Sequence, residues 1–462
     1  MQPTKITRTL SKGQSKSTEN AWKDKAISRR KDKAALLQRI KELEASRDNW
    51  KQKYQLLKKT GVKSASLSIE KASKHQYSLS VVTLIIELYK YGGMSLRSCR
   101  HSLCCMLQCF GLTSRVPSHS SIRNWLCKCG IYRVKKNSDK SGKYVIYVDE
   151  SITFGSEKML LILGVPVERI RKDRALSHED MSVLYVGASQ EWKGEHIADE
   201  LQEIATHHEV EYVVSDEGTN LRKAYKTLNY THVEDCTHIL AKYLKRIYEK
   251  DADFEAFRKL IGKLRRDWNL SKTKSQYMPP TMRGKMRFAN IFPCVNWAKK
   301  TLANWDSLDG EVQNRLTFLK ENTDFIQSLI EVEIVFKKVC AQLKNQGFQA
   351  AQKQEILDSF IAMKAGEKAS VFIENCKDYL ENLTMKSEVL KRNFLLCSSD
   401  IIESYFGKFK TKVNPNNRSG LTEFIFTIAT FGKHFSLEET RLALESIKCK
   451  DLKLVKKRAS SA

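Results

Sequence analysis

Two aspartates stand at positions where chemistry is possible, because each follows a run of strand-forming residues. Asp149 follows residues 144–148 and Asp216 follows residues 211–215, which lie 67 residues further along the chain. A single acid at a strand end is commonly a turn former or a helix cap. Two acids on adjacent strands would lie side by side at the edge where α/β sheets present their ligands. Neighbouring carboxylates repel unless a cation lies between them, and hard oxygen ligands select Mg²⁺ or Mn²⁺.

The order of motifs resembles that of DDE transposases of the insertion-sequence type, which have a ribonuclease-H-like catalytic domain. The motifs are the strand before Asp149, the segment Val214-Ser-Asp-Glu-Gly-Thr-Asn-Leu221, a long helical stretch, and the segment Ile402-Glu-Ser-Tyr-Phe-Gly-Lys-Phe-Lys410. The resemblance covers residues 75–430. It implies an α/β fold with a mixed sheet, an all-helical insertion before the last acid, and a helix-turn-helix before the catalytic domain.

The resemblance also implies an acidic triad that binds two Mg²⁺ or Mn²⁺ ions: Asp149, Asp216 and Glu403. Glu150 and Glu217 directly follow the aspartates, but neighbouring strand residues point to opposite faces, so the aspartates are preferred. Asp400 lies one helical turn before Glu403 and is a rival for the third position. Apolar residues around Glu403 have the pattern of a helix core, which favours Glu403.

A second motif, Asp235-Cys-Thr-His238, resembles a signature that follows the second aspartate in several transposase superfamilies with helical insertions. In those families the pair supports the site and does not bind metal directly. The alternative is an aspartate cap followed by a packed histidine, since a three-residue spacing arises easily by chance.

The implied activity is DNA transposition. Two metal ions about 3.5–4 Å apart would clamp the scissile phosphate, activate water or a 3′-hydroxyl, and stabilise the leaving oxygen. The same site would cleave DNA at the element ends, which are terminal inverted repeats, and transfer strands into target DNA. Two alternatives remain open: a sequence-specific DNA-binding protein derived from an inactive transposase, and a nuclease of the same fold without strand transfer.

Charge favours a nucleic-acid partner. The chain has 462 residues, 80 Lys and Arg, 53 Asp and Glu, and a formal charge of +27. Residues 1–142 hold 30 of the basic residues and only 9 of the acidic ones. A concentrated basic segment indicates a polyanion, most commonly nucleic acid. The hydrophobic fraction of 41% excludes wholesale disorder.

Localisation is expected to be cytoplasmic, in association with DNA at the nucleoid. The longest uncharged apolar run is too short to span a bilayer, and the N-terminus lacks the apolar region of a secretory signal. We therefore expect no membrane partner, and the resemblance implies no small-molecule substrate. Twelve cysteines in such a chain are expected to be reduced. Those between Cys99 and Cys129 lack zinc-knuckle spacing and are expected to be small buried hydrophobes.

The N-terminal region divides into three parts. Residues 1–30 have the composition of a basic disordered tail. Residues 31–60 carry a heptad with Leu36, Leu43, Trp50 and Leu57, which predicts a coiled-coil helix and a homodimer; a helix packed on its own chain is the alternative. Residues 75–136 have the short helices and glycine turns of a helix-turn-helix domain, with an ordinary helical core as the alternative. The side chains expected to face DNA are Ser118, Ser120, Ser121, Arg123 and Asn124.

After an expected linker over residues 135–143, five strands and two helices predict the first part of the catalytic domain, residues 143–250. Residues 251–390 are expected to form the helical insertion, residues 391–435 the closing helix with the third acid, and residues 436–462 a basic tail. Expected phosphate contacts are Lys408, Lys410, Lys412 and Arg418. Each of Trp268, Trp297 and Trp305 either stacks on a flipped DNA base or packs in a core, and core packing explains a tryptophan at least as well.

Overall fold

A computed structural model describes residues 29–30, 33, 36–52, 55, 70–110, 115–150, 157–269, 277–281, 291–361, 365–413 and 422–452. The chain divides into two compact units, Met1–Ser68 and Ile69–Ala462. The expected disordered tail, residues 1–30, lies almost wholly outside the described residues. In the described part of the chain, no helix is both long and apolar enough to cross a membrane.

The first unit contains helix α1, residues 36–52, and all of its described side chains are exposed. Leu36, Leu43 and Trp50 are 65%, 55% and 69% exposed. These residues recur every seven positions and form one apolar stripe, as a coiled-coil seam requires. The predicted helix is confirmed over residues 36–52. Pairing of two such helices stays a prediction, and Leu57 lies outside the described residues.

The second unit is built on a mixed five-stranded sheet, as the sequence predicts. Its strands are β1 (Gly142–Glu150), β2 (Lys158–Pro166), β3 (Ser182–Ser189), β4 (His208–Ser215) and β5 (His232–Glu234). The order across the sheet is β3-β2-β1-β4-β5. Strands β1, β2 and β3 pair antiparallel, whereas β4 runs parallel to both β1 and β5. The carboxyl ends of β1 and β4 therefore meet at one edge.

The two faces of the sheet have separate apolar cores. One face, which includes Ile146 and Val148, is covered by helices α5 (Gly194–Ala205) and α6 (Thr219–Thr227). The other face, which includes Val145 and Tyr147, belongs to a much larger core that most of the remaining helices share. Alternation along β1 thus places Asp149 on the side of this larger core.

Three helices before the sheet belong to this larger core. They are α2 (Leu79–Tyr91), α3 (Leu96–Cys109) and α4 (His119–Ser138). Every residue of α4 from Trp125 to Ile131 is buried. A Cβ atom on Gly130 would lie 1.9 Å from the carbonyl oxygen of Phe426, so only glycine allows this close approach. The segment 75–136 therefore packs as part of the sheet's core.

The linker predicted over residues 135–143 is wrong. Helix α4 continues to Ser138, and β1 begins at Gly142. The composition of this segment resembles a loop, but Asn137 donates a hydrogen bond to the carbonyl of Val183 on the edge strand β3, at 3.0 Å. The Arg133 guanidinium also donates to the carbonyls of Lys433 and His434. These contacts keep the last turns of α4 helical.

Helices dominate the chain between β5 and residue 390, as the sequence predicts. They are α7 (Cys236–Tyr248), α8 (Ala252–Trp268), α9 (Phe292–Ala303), α10 (Gly310–Leu316), α11 (Phe318–Glu321), α12 (Thr323–Gln346), α13 (Lys353–Ile361) and α14 (Glu367–Val389). A two-residue strand β6 (Phe348–Gln349) interrupts them and pairs with β7 (Phe394–Leu395). The helices return the chain to the sheet, where Tyr379 donates a hydrogen bond to the carbonyl of Glu234 at 2.8 Å.

The last elements are helix α15 (Asp400–Lys410), a 3-10 helix (Glu423–Phe431) and helix α16 (Leu437–Ser446). The basic tail predicted from residue 436 is wrong over the described residues up to 452. Ser436 caps α16 through the backbone N–H of Glu439, and Ala443 and Leu444 are buried. Because many residues of α16 are charged, the sequence pattern does not indicate this short apolar face.

Cysteine burial agrees with the expectation at three positions. Cys99, Cys127 and Cys129 are buried, and burial raises the pKa of each thiol, to about 11 for Cys99 and to about 12 for the other two. Cys105 and Cys109 are exposed, which the sequence pattern did not predict.

Candidate functional site

Asp149 and Asp216 lie at the same edge of the sheet. In the parallel pairing of β1 and β4, Tyr147 is opposite Val214, and each aspartate comes two residues later. The backbone N–H of Gly218 donates to Oδ1 of Asp216 at 2.9 Å, which fixes that side chain in the turn after β4. Adjacent parallel strands therefore bring together the two acids that the sequence predicts.

The electrostatics of Asp149 are dominated by burial and by neighbouring negative charge, which outweigh a smaller opposing effect of His238. The pKa of Asp149 is raised to about 7, first by burial and second by the negative charge of Asp216; Glu403 adds a smaller effect in the same direction. Among the described residues, no lysine or arginine forms an ion pair with Asp149 or Asp216. Such a pair of acids fits a divalent cation, which would offset the repulsion.

The rival acids, in contrast, have cationic partners. Glu150 lies 3.5 Å from Nζ of Lys158, and Glu217 lies 2.6 Å from Nζ of Lys242. Asp400 pairs with Lys344 at 2.7 Å. The ion pairs of Glu150 and Glu217 agree with the preference for Asp149 and Asp216. Charge balance does not separate Asp400 from Glu403, because Glu403 also has a cationic partner, His238.

Asp235 connects three parts of the site. Its side chain is fully buried and caps α7, because Oδ1 accepts a hydrogen bond from the backbone N–H of His238 at 2.8 Å. Its Oδ2 accepts from the backbone N–H of Ser399 at 2.6 Å and from the Ser399 hydroxyl at 3.0 Å. The backbone N–H of Asp235 donates to the carbonyl of Ser215 at 2.9 Å. Asp235 therefore holds the end of β4, the start of α7 and the start of α15 together.

His238 and Glu403 form an ion pair beside the two aspartates. Nε2 of His238 lies 3.3 Å from Oε1 of Glu403. The hydrogen bond to Glu403 raises the pKa of His238 to about 9, despite partial burial, and the same bond lowers the pKa of Glu403. His238 is therefore cationic at neutral pH and directs the Glu403 carboxylate.

We expect the stability contributed by this pair to decline as pH rises. A histidine with a raised pKa stabilises the fold fully below its ordinary value of 6.5, and the contribution disappears as pH passes through about 9. Because Glu403 is 56% exposed, the effect is at most about 1 kcal/mol. Urea unfolding of wild type and His238→Gln at pH 6.5 and 9.5 measures it. A stability difference between the two proteins that is the same at both pH values would contradict the assignment.

The side chains of Asp149, Asp216 and Glu403 do not form one metal-binding cluster in this structure. Within the residues that the structure describes, no three His, Cys, Asp or Glu side chains are grouped closely enough to hold one metal ion. Asp149 and Asp216 interact with each other, while Glu403 is hydrogen-bonded to His238. Asp149 and Asp216 are thus the residues with suitable ligand atoms, and the charge of Glu403 has a smaller effect on the pKa of Asp149.

No family model and no curated protein matches the chain. The geometry of the described residues is therefore what bears on the function.

The residues expected to contact DNA have different environments. On α4, Ser118 caps the helix through the backbone N–H of Ser121, and Ser120 is exposed. Arg123 differs from the expectation, because its guanidinium binds Glu423 at 2.8 Å within the chain. Asn124 is half-buried.

The four residues expected to contact phosphate also differ in their environments. Lys412 differs from the expectation, since its ammonium donates to the carbonyls of Tyr89 and Met94 at 2.8 and 3.0 Å. Lys408 and Lys410 are half-buried on α15, and the charge of Lys410 contributes to the lowered pKa of Glu403. Arg418 lies outside the described residues. Lys408 and Lys410 thus remain the candidates beside the third acid.

The three tryptophans lie among helices. Trp268, the last residue of α8, is buried in the larger apolar core. Trp297 is half-buried and donates its indole N–H to the carbonyl of Tyr277 at 3.0 Å. The ammonium of Lys320 lies 4.3 Å from the ring centroid of Trp305. Core packing accounts for Trp268, and the other two rings have partners within the chain.

Sequence reasoning missed two residues next to the site. Ser399 binds Asp235 across 164 positions, a contact with no local signal in the sequence. His178, in the loop before β3, accepts a hydrogen bond from the hydroxyl of Tyr405 at its backbone carbonyl, 3.2 Å away. Burial lowers the pKa of His178 to about 4, so it is neutral at physiological pH. Both residues fix α15, which carries Glu403.

Proposed function

We propose that this protein is a metal-dependent DNA transposase of the DDE type. The observation that carries the proposal is the pair Asp149 and Asp216, two acids at the carboxyl ends of adjacent parallel strands that form no ion pair with a lysine or arginine of the described residues. A carboxylate pair of this kind costs stability in the absence of a cation, and perturbed acids cluster at functional sites. A protein that only binds DNA has no need of such a pair.

The topology supports a ribonuclease-H-like assignment. Five strands in a mixed sheet precede a long series of helices, and the next element packed against β1 is helix α15 with Glu403. The helices from α8 to α14 therefore correspond to an insertion between the last strand and the helix of the third acid. This is the arrangement that the motif order implies.

Each residue of the site has a defined part in the proposed chemistry. Bound Mg²⁺ would supply Lewis-acid stabilisation of the phosphate and an activated hydroxyl group. Asp149 and Asp216 would hold the metal, with Glu403 as the third ligand. Protonated His238 orients Glu403, and Asp235 positions both through α7 and Ser399. The chain contributes position and charge and does not form a covalent intermediate.

Two further features fit a protein that joins DNA ends. The basic N-terminal third supplies charge for binding DNA nonspecifically. The exposed apolar stripe of α1 fits a homodimer, which two element ends require.

The test is strand transfer by the full-length protein with labelled DNA from the flanks of its gene, where terminal inverted repeats are expected. With Mg²⁺ or Mn²⁺, we expect nicks that leave a 3′-hydroxyl, followed by joined products. Glu403→Gln should lose both, whereas Asp400→Asn should retain them. Nicks without joining would favour the nuclease alternative. Equal cleavage by wild type and Glu403→Gln would contradict the site, and DNA binding without cleavage would favour the regulator.

A further inference from the structure

A basic groove lies at the opposite end of the sheet from the carboxylates. It has a volume of about 630 Å³ and follows β2, beside the 3-10 turn Val167–Arg169. Four cationic side chains line it: Arg169, Arg171, Arg174 and Lys433. Arg169, Arg171 and Lys433 are exposed, and Arg174 is half-buried.

The acids in this groove are partly committed to other groups. Asp180 accepts two hydrogen bonds from the guanidinium of Arg174, both at 2.7 Å, and two more from Ser177. Glu179 lies 3.8 Å from Nε2 of His434. Glu168 is exposed, and no Lys, Arg or His nitrogen of the described residues lies within 4 Å of its carboxylate. Asp180 therefore has little capacity left to neutralise other cations.

Arg169, Arg171 and Lys433, in contrast to Arg174, have no acidic partner within 4 Å among the described residues. They also lie within the field of further positive charges. Partial burial lowers the pKa of Lys433, and the charges of Arg169 and Lys140 lower it further, against a smaller opposing effect of Asp180. The charge of Arg169 likewise contributes to a lowered pKa for Lys140. Like charges held together in this way favour an anionic ligand.

The register of β1 and β2 gives the distance from the acids. Tyr144 pairs with Pro166 beside the groove, and Glu150 pairs with Leu160 beside Asp149. Six residues of extended strand separate the two ends, which corresponds to about 20 Å. Successive phosphates on one DNA strand are about 3.4 Å apart along the axis, so this distance spans about six nucleotides.

We propose that this groove, with Arg169, Arg171 and Lys433, binds the phosphate backbone of duplex DNA about six nucleotides from the carboxylate pair. The proposal rests on the proposed function, since it assigns the second contact surface for the same substrate. Guanidinium groups match phosphate oxygens in geometry and keep their charge at all physiological pH values. The groove would fix the direction in which the duplex leaves the acidic edge.

The experiment measures binding of a fluorescent 40-base-pair duplex to the full chain from 50 to 300 mM KCl. The groove variant combines Arg169→Gln, Arg171→Gln and Lys433→Gln. A control of equal charge combines Lys250→Gln, Lys263→Gln and Lys299→Gln, three exposed residues between the end of α7 and the end of α9. Each lost phosphate contact reduces the slope of log K against log[salt] by about 0.9. We expect the magnitude of this slope to fall by about 2 to 3 in the groove variant and by less than about 1 in the control.

Two further variants and a second readout separate the possible results. Arg169→Lys with Arg171→Lys keeps the charge and should retain the wild-type slope. Equal slopes for the groove variant and the control would overturn the proposal. Metal-dependent nicking is measured in parallel. If the groove variant keeps the wild-type slope and nicks DNA normally, the result contradicts the groove proposal but not the proposed transposase activity. A loss of slope in a chain that never nicks DNA supports the groove and contradicts the transposase. Thermal unfolding verifies that each variant folds.

Discussion

Asp149→Asn is expected to lower metal-dependent DNA cleavage at least about 10³-fold and to make the metal-free fold more stable. A bound metal stabilises the transition state by several kcal/mol, and about 4 kcal/mol corresponds to about 10³ in rate. Asparagine keeps the size of the side chain but offers a poorer ligand. DNA binding should remain, because the groove and the basic residues are unchanged.

The gain in stability follows from the raised pKa of Asp149. A carboxyl group whose pKa rises from 3.8 to about 7 on folding binds its proton more tightly in the native state. Wild type therefore loses stability as pH rises from about 4 to 7, and asparagine avoids this loss. After discounting for solvent screening, we expect a difference of about 2 kcal/mol at pH 8.

Urea unfolding at pH 5 and pH 8 in EDTA measures this difference, and nicking assays measure the loss of activity. Mg²⁺ should then stabilise wild type and leave Asp149→Asn unchanged, since a ligand stabilises only a state that binds it. Asp149→Asn that is less stable than wild type at pH 8, or that cleaves DNA normally, would refute the assignment.

Asp235→Ala is expected to destabilise the fold by about 3 to 4 kcal/mol and to abolish cleavage. The substitution removes the cap of α7 and both hydrogen bonds to Ser399. A helix cap contributes about 1 kcal/mol, and hydrogen bonds to a charged group contribute about 1.5–3 kcal/mol each, with incomplete additivity. Asp235→Asn should also be impaired, because its NH₂ group would face a backbone N–H.

Asp251→Ala provides the matched control. Asp251 caps α8 through the backbone N–H of Phe254 at 2.7 Å and pairs with Lys368. Its loss should cost about 1 kcal/mol and leave cleavage unchanged. Urea unfolding and nicking are measured for both variants below the unfolding temperature. If Asp235→Ala is no less stable than Asp251→Ala and cleaves DNA normally, Asp235 has no positioning role.

The sheet was predictable because its strands leave a local signal. Residues 144–148 and 211–215 are rich in β-branched and aromatic residues, and an aspartate directly follows each run. Alternation along the strand also predicted that Asp149 and Glu150 point to opposite faces of the sheet. The ion pair between Glu150 and Lys158 agrees with that assignment.

The errors arise where distant contacts override local composition. The end of α4 contains Lys, Asn and Ser, yet Asn137 and Arg133 bind backbone carbonyls on other elements. The same holds for Arg123 and Lys412, whose charges suggested DNA but are engaged within the chain. The contact between Asp235 and Ser399 spans 164 residues, and neither periodicity nor spacing can indicate it.

The junction at Asp235 has a consequence for how the chain can vary. The backbone N–H of Cys236 donates to the carbonyl of Cys397 at 2.8 Å, next to the bonds between Asp235 and Ser399. The chain thus leaves the sheet at the start of α7 and returns to it after α14 at the same place. The free energy of closing such a loop grows only slowly with its length. We therefore expect that helices from α8 to α14 can be lengthened, lost or exchanged at little cost in loop closure, while α7 and the hydrogen bonds between Asp235 and Ser399 hold α15, which carries Glu403, at the sheet.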